Sequence, residues 1–246
     1  MPERRHAWRA VGAGRRQFLA LALAGAAFPV GASADAPGRR VTYVVGPVSP
    51  MPSADTVIHT ILGRLAELDL NASVRQIGTA LEFTVDAAME PELLAQVLTQ
   101  QGLFAIHAEA EQVSKCEPTD PARICLPSLD GEERYRMAPI ASVSSADLEE
   151  VSPTVDHTGL PAIMVRLSRS GARRFGKLTA ERVGEFIALV LDGVVVIAAR
   201  VQSLILGGSF TAPTNGLDAE LWAAILGQPP LPAALTIYEV REASNP

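Results

Sequence analysis

Histidine, cysteine and aromatic residues are all scarce in this 246-residue chain, and each scarcity closes off a class of chemistry. His59, His107 and His157 are not linked by H-x-x-x-H, H-E-x-x-H or any histidine–carboxylate cluster, so neither a metal site nor an acid–base pair is expected. The two cysteines, Cys116 and Cys125, are not spaced C-x-x-C, which argues against redox catalysis. Ser209 follows Gly208, but the G-x-S-x-G elbow of a strained nucleophile is absent. Gly207-Gly208 does not open a helix as a phosphate-cradling loop does, and reads as a turn or bulge. Glu132-Glu133 and Glu149-Glu150 read as solvated charge pairs in loops. No catalytic, cofactor or metal residues are assigned. Long apolar runs are also lacking. The longest after the N-terminal region, Phe186 to Ala199, is interrupted by Asp192-Gly193 and reads as a hairpin, whereas a spanning helix needs about 20 apolar residues.

The first forty residues differ from the rest. Arg4, Arg5, Arg9, Arg15 and Arg16 stand against the single acid Glu3, an apolar run follows from Phe18 to Val30, and Ala32-Ser33-Ala34 supplies a small-residue site. That order is a signal peptide, residues 1–34, cleaved after Ala34. Arg15-Arg16 with Phe18-Leu19 resembles the twin-arginine export motif, and an ordinary Sec signal is the alternative. Cleavage leaves 16 basic against 26 acidic residues, a net charge of −10. So acidic a chain disfavours nucleic acid and anionic membrane surfaces as partners. In an oxidising envelope, Cys116 and Cys125 read first as a disulfide, with Pro118, Asp120 and Pro121 turning the chain between them. Metal binding and free thiols are the alternatives.

Two patterned segments flank an irregular one. Val41 to Val45 reads as a strand and Ser53 opens a helix with Val57, Ile61 and Leu65 on its face. Ala72 to Ile77 and the alternating Leu81, Phe83 and Val85 read as strands. Pro91 begins a second helix, and Leu103 to His107 closes the set. The order β-α-β-β-α-β returns after residue 137. Ala162 to Leu167 is a strand, Ser168 or Ser170 caps a helix, and Asp192-Gly193 joins Phe186–Leu191 to Val194–Ala199 as a tight hairpin. Asn215 is read as the cap of a further helix, and Ala234 to Val240 as the last strand. The expected fold is α+β, with two tandem ferredoxin-like (βαββαβ) subdomains over 35–111 and 137–246 and a disulfide-pinned linker over 112–136. The hairpin is apolar on both faces, which suits a central sheet position. An edge position would open it to strand addition by an extended peptide.

Pro161 to Leu167, Ser170-Gly171-Ala172-Arg173-Arg174-Phe175, Val183-Gly184, Ile187 to Gly193, Gly207-Gly208, and Gly227 with Leu231-Pro232-Ala233 resemble the head subdomain of the periplasmic domain of SecD, in the SecDF protein-export complex. The segment with Arg64-Leu65, Asn71 to Ile77 and Leu81 to Val85 resembles its base subdomain. Family members are polytopic and couple proton flow to movement of this domain through ionisable residues in lipid, for which no helix is read here. Their heads contact emerging, unfolded preprotein. The resemblance therefore implies a free-standing, periplasmic, non-enzymatic relative that is soluble once its signal is cleaved and binds unfolded or extended polypeptide as an export accessory. The alternatives are an assembly module for one specific envelope protein, or an unrecognised hydrolase. Whether the chain meets the Sec machinery stays open.

Overall fold

A β-branched run bounded by Gly46-Pro47 suits a strand, and a serine placed before an apolar stripe suits a helix start; both form where those signals lie. The computed structural model describes residues 40–48, 53–86, 89–116 and 122–243. Arg15, Arg16, Phe18, Leu19 and Ala34 lie outside the described residues. The described residues divide into two units, one of residues 40–102 with 228–243, the other of residues 103–227.

In chain order the elements are β1 (Arg40–Pro47), α1 (Ala54–Glu67), β2 (Ala72–Ile77), β3 (Ala80–Asp86) and α2 (Pro91–Thr99). Then come β4 (Phe104–His107), β5 (Glu111–Val113), β6 (Ile124–Pro127), β7 (Arg134–Met137), β8 (Val143–Ser144) and a 3-10 turn at Ser145–Asp147. β9 (Leu148–Val155), β10 (Pro161–Leu167), α3 (Arg169–Glu181), β11 (Phe186–Leu191), β12 (Val194–Arg200), β13 (Ser209–Pro213), α4 (Ala219–Leu226) and β14 (Leu235–Ala243) complete the chain.

The first unit is one sheet of order β14-β1-β3-β2, all neighbours antiparallel, with α1 and α2. That is the split βαβ plan. Its closing strand is a correction to the sequence reading: Leu235–Ala243 pairs with β1, while Phe104–His107 pairs with β11 in the other unit. The expected boundaries at 111 and 137 shift accordingly to 102 and 228. Both candidates are short apolar strands, and sheet pairing across nearly two hundred residues leaves no local mark. Val41, Tyr43 and Val45 lie opposite Val85, Phe83 and Leu81, and all six are buried on one face. The apolar stripes of α1 (Val57, Ile61, Leu65) and α2 (Leu94, Val97, Leu98) are buried with them. Ser53 caps α1 by accepting from Thr56 N at 3.3 Å, and Pro91 fills the first turn of α2. Arg64 is fully buried on α1. Its guanidinium donates to the carbonyls of Val97 (3.0 Å), Gln100 (2.6 Å) and Gln101 (2.9 Å), which satisfies the C-terminal end of α2 with a cation.

The second unit is not a repeat of the first. Its strands form three sheets, ordered β13-β10-β9, β12-β11-β4-β8 and β5-β7-β6, so β10 does not pair with the β11–β12 hairpin. The expected second βαββαβ sheet is therefore replaced by a packed set of smaller ones. The linker read over 112–136 instead contributes to the sheet β5-β7-β6, with Cys116 and Cys125 joined in a disulfide. Glu149 and Glu150, read as loop residues, lie on β9, beside Arg166 of β10. The cap of α4 is Asp218, whose Oδ1 accepts from Leu221 N at 2.9 Å; Asn215 sits at φ 51° and donates to Val196 O at 2.8 Å.

The hairpin explains the layering. Asp192 and Gly193 occupy its turn with φ 48° and 81°, and Asp192 Oδ1 accepts from Leu103 N at 2.7 Å. Ile187, Leu189, Leu191 and Ile197 pack into the main core with Ile163, Val165, Phe175 and Phe210. Ala188, Val190 and Val195 form a second cluster with Ala110 and Met137, bordered by Ile124, Leu126 and Tyr135 of the small sheet. Both faces are covered, one of them by the disulfide-linked sheet. Burial, then the Glu133 carboxylate to which its hydroxyl donates at 2.6 Å, raises the Tyr135 phenol above its usual range.

Candidate functional site

Strand addition at the hairpin is not the site the geometry favours. β12 does lie at a sheet edge, but Val195 O accepts from Leu129 N at 3.1 Å and Val196 O accepts from Asn215 Nδ2 at 2.8 Å, so that edge is partly occupied. His107 is 6% exposed, with Nδ1 2.8 Å from Ala138 O, a satisfied core histidine. His59, His157 and Ser209 are exposed and apart from one another in sequence and secondary structure. Among the described residues no group of three or more His, Cys, Asp and Glu side chains is placed to hold a metal.

The feature that stands out is an open groove of about 750 Å³ between α3 and the segment 204–207. Its floor follows from the sequence of α3. Ala172, Gly176 and Ala180 recur every four residues on one helix face, and such small side chains let the backbone of the facing segment approach. A Cβ on Gly176 would lie 3.5 Å from Ile205 O. Buried Thr179 accepts from Ile205 N at 3.0 Å and fixes the segment to the helix. Gly207 and Gly208 both have positive φ, 87° and 70°, and a Cβ at Gly208 would meet Ala172 Cβ at 2.4 Å. The glycine pair thus turns the chain away from α3 at the closest approach the two segments make. What this mounting presents is apolar: Leu206 is 77% exposed and Leu204 42%.

The rim is cationic. Arg166, Arg169 and Arg173 line the groove with one carboxylate, Glu149. Arg166 is paired with Glu149 at 3.3 Å and with Glu150. Arg169 and Arg173, one turn apart on α3, have no ion-pair partner among the described residues. Their neighbour Arg174 points elsewhere, paired with Asp147, which is 3% exposed and accepts from Ser144 N at 3.0 Å. Gly171 leaves room for that turn, since a Cβ there would lie 2.7 Å from Asp147 Cβ. Ser168 Oγ caps α3 by accepting from Gly171 N at 3.2 Å. The groove was missed in the sequence because its two sides are separated by some thirty residues; the four-residue spacing of Ala172, Gly176 and Ala180 was the available signal.

Residues 123–233, which hold the groove, match the family model of the SecDF P1 head subdomain. Over that stretch the chain is similar to SecD sequences. Over 119 residues it is 38% identical to the protein translocase subunit SecD of Rhodobacter capsulatus, covering 47% of this chain and 22% of that protein. Over 120 residues it is 35% identical to SecD of Aquifex aeolicus, covering 48% and 24%. The aligned part thus spans under a quarter of the length of these curated SecD relatives. Among solved structures, SecDF in its super-membrane-facing form superposes with a TM-score of 0.65 at 17% identity, over 82% of this chain and 30% of that one. A structure of SecDF, a membrane component that enhances protein export, gives 0.59 at 16%, over 81% of this chain and 99% of that one. These likenesses establish a mixed α/β fold shared with SecDF. No helix among the described residues is long and apolar enough to cross a membrane. The residues that line the groove all lie within the stretch similar to the SecDF P1 head subdomain.

Proposed function

We propose that this SecD-like chain is a non-enzymatic, periplasmic export accessory that holds unfolded or extended polypeptide in the groove beside α3. The observation that carries the reading is the presentation of Leu204 and Leu206 over a floor of Ala172, Gly176 and Ala180, inside the segment that matches the SecDF head. Exposed leucines on a rigidly mounted segment are the kind of surface that marks an interaction site, and an unfolded chain offers the apolar side chains that cover them. The leader at residues 1–34, with Arg15-Arg16 and Phe18-Leu19, delivers the chain to the periplasm through the twin-arginine route and is removed after Ala34. Relatedness to SecD and SecDF supports the export context.

Binding of the purified mature protein to reduced, carboxymethylated α-lactalbumin tests the reading. Saturable binding that is weakened at least tenfold by Leu204→Ser with Leu206→Ser, with native α-lactalbumin unbound, is the expected result. A single folded envelope protein recovered stoichiometrically, with no unfolded-chain binding, favours the assembly-module reading instead.

A further inference from the structure

The polypeptide groove carries a charge asymmetry that its apolar floor does not need. Arg169 and Arg173 lie on the same side of α3, are exposed, and are not matched by a carboxylate among the described residues, whereas Arg166, Arg174, Lys177 and Arg182 in the same region are all paired with acids. Arg169 also occupies the first turn of α3, which contains no acidic residue, so one cation sits where the helix dipole already favours negative charge. Two such cations side by side on the rim of a groove with exposed leucines form a surface complementary to a ligand that is both apolar and anionic.

Resting on the polypeptide-holding reading, we infer that the groove is selective: it takes extended segments in which carboxylates alternate with apolar side chains, and rejects segments in which lysine or arginine takes those places. In an extended segment successive side chains point to opposite sides. Leucine-type side chains then cover Leu204, Leu206 and the Ala172–Gly176–Ala180 floor, while carboxylates on the other side reach the rim and pair with Arg169 and Arg173. The same rim disfavours basic stretches, such as the arginine-rich leader this chain itself carries at Arg4, Arg5 and Arg9.

The test uses the whole mature protein and three labelled nonapeptides: leucine alternating with glutamate, with lysine, and with glutamine. Anisotropy titrations at low salt are expected to show the glutamate peptide bound roughly tenfold more tightly than the lysine peptide, the size of two exposed ion pairs, with the glutamine peptide between them. Arg169→Gln with Arg173→Gln is expected to bring the three affinities together, with the glutamate peptide losing most. Added salt is expected to narrow the same gap. Equal binding of all three peptides by the unaltered protein overturns the selectivity and leaves the holding reading intact. Failure of every peptide to bind overturns the holding reading as well. Vesicles containing phosphatidylglycerol that bind through Arg169 and Arg173, while no peptide does, assign the rim to a lipid surface and contradict the proposal.

Discussion

The two units of this chain use the same kinds of residue for opposite ends. In the first, a buried arginine is turned inward: Arg64 spends its guanidinium on three carbonyls at the end of α2 and never meets solvent. In the second, Arg169 and Arg173 are turned outward along a groove and meet no acid among the described residues. Apolar exposure divides similarly. Ile77 and Tyr238 of the first unit are exposed singly, on different strands, while Leu204 and Leu206 stand together over a floor of small residues. Scattered apolar exposure is ordinary, and a mounted pair beside a groove is not. The comparison teaches that the regular sheet turns its buried arginine to its own helix end, and that under the proposed function recognition falls to the segment the sequence inserts between α2 and β14.

The strongest way to break that comparison is to remove Arg64. Arg64→Met keeps the volume but leaves three carbonyls without their cationic donor, and is expected to cost about 4 kcal/mol. Urea unfolding is the measure, with hydrogen exchange losing protection in α1 and α2 first. A cost below about 1 kcal/mol would show that the guanidinium is incidental to the scaffold.

Next comes the mounting of the groove. Gly208→Ala adds a Cβ 2.4 Å from Ala172 Cβ at a φ of 70°, and is expected to cost about 3 kcal/mol from strain and overpacking together. Gly207→Ala has φ 87° but open space, and is expected to cost about 1 kcal/mol from backbone strain alone. Thermal unfolding of the pair separates the close approach from the turn.

These residues also show how far the sequence carries. Asp192-Gly193 was legible because a two-residue turn writes its backbone requirement into its residue types. Ser53 was legible as a cap, and Ser168 as one of two candidates with Ser170, because a helix start is a local hydrogen-bonding problem. Leu103–His107 was not assignable to its sheet, since pairing with β11 rather than β1 depends on which distant strand arrives. Asn215 and Asp218 both suit a cap, and only tertiary structure shows Asn215 spent on Val196 O. The short strands of 111–137 lacked period because three or four residues are too few to display one, and what holds them is a cover over Val190 and Val195 with a disulfide alongside.

That disulfide gives the third prediction. Cys116 and Cys125 are nine residues apart, and replacing both with serine is expected to cost about 2–3 kcal/mol on the chain-entropy model. Exchange of amides in β5, β6 and β7 should rise while β1 and β3 stay protected. A smaller effect is expected at the rim: Arg169→Gln with Arg173→Gln should change stability by less than about 0.5 kcal/mol, because exposed, unpaired cations hold nothing together. The smallest concerns acid. Asp156 is held below its ordinary value of 3.8 by hydrogen bonds from Thr158 and Leu160, and Asp130 by Ser128. Their folded values lie below their unfolded ones, so the stability they lend is complete above pH 3.8 and is lost as pH falls through the folded values. A shallow decline in melting temperature confined to that range is expected, and Asp156→Asn should remove part of it.

The account turns on where an unfolded chain is held. A benzophenone side chain at Leu206, with Ile77 as the control position on β2, can be irradiated in the presence of reduced, carboxymethylated α-lactalbumin. Crosslinks from position 206 that are competed by unlabelled client and absent from position 77 are predicted. Equal crosslinking from both positions, or none from 206 while the client binds, would contradict the groove as the holding site.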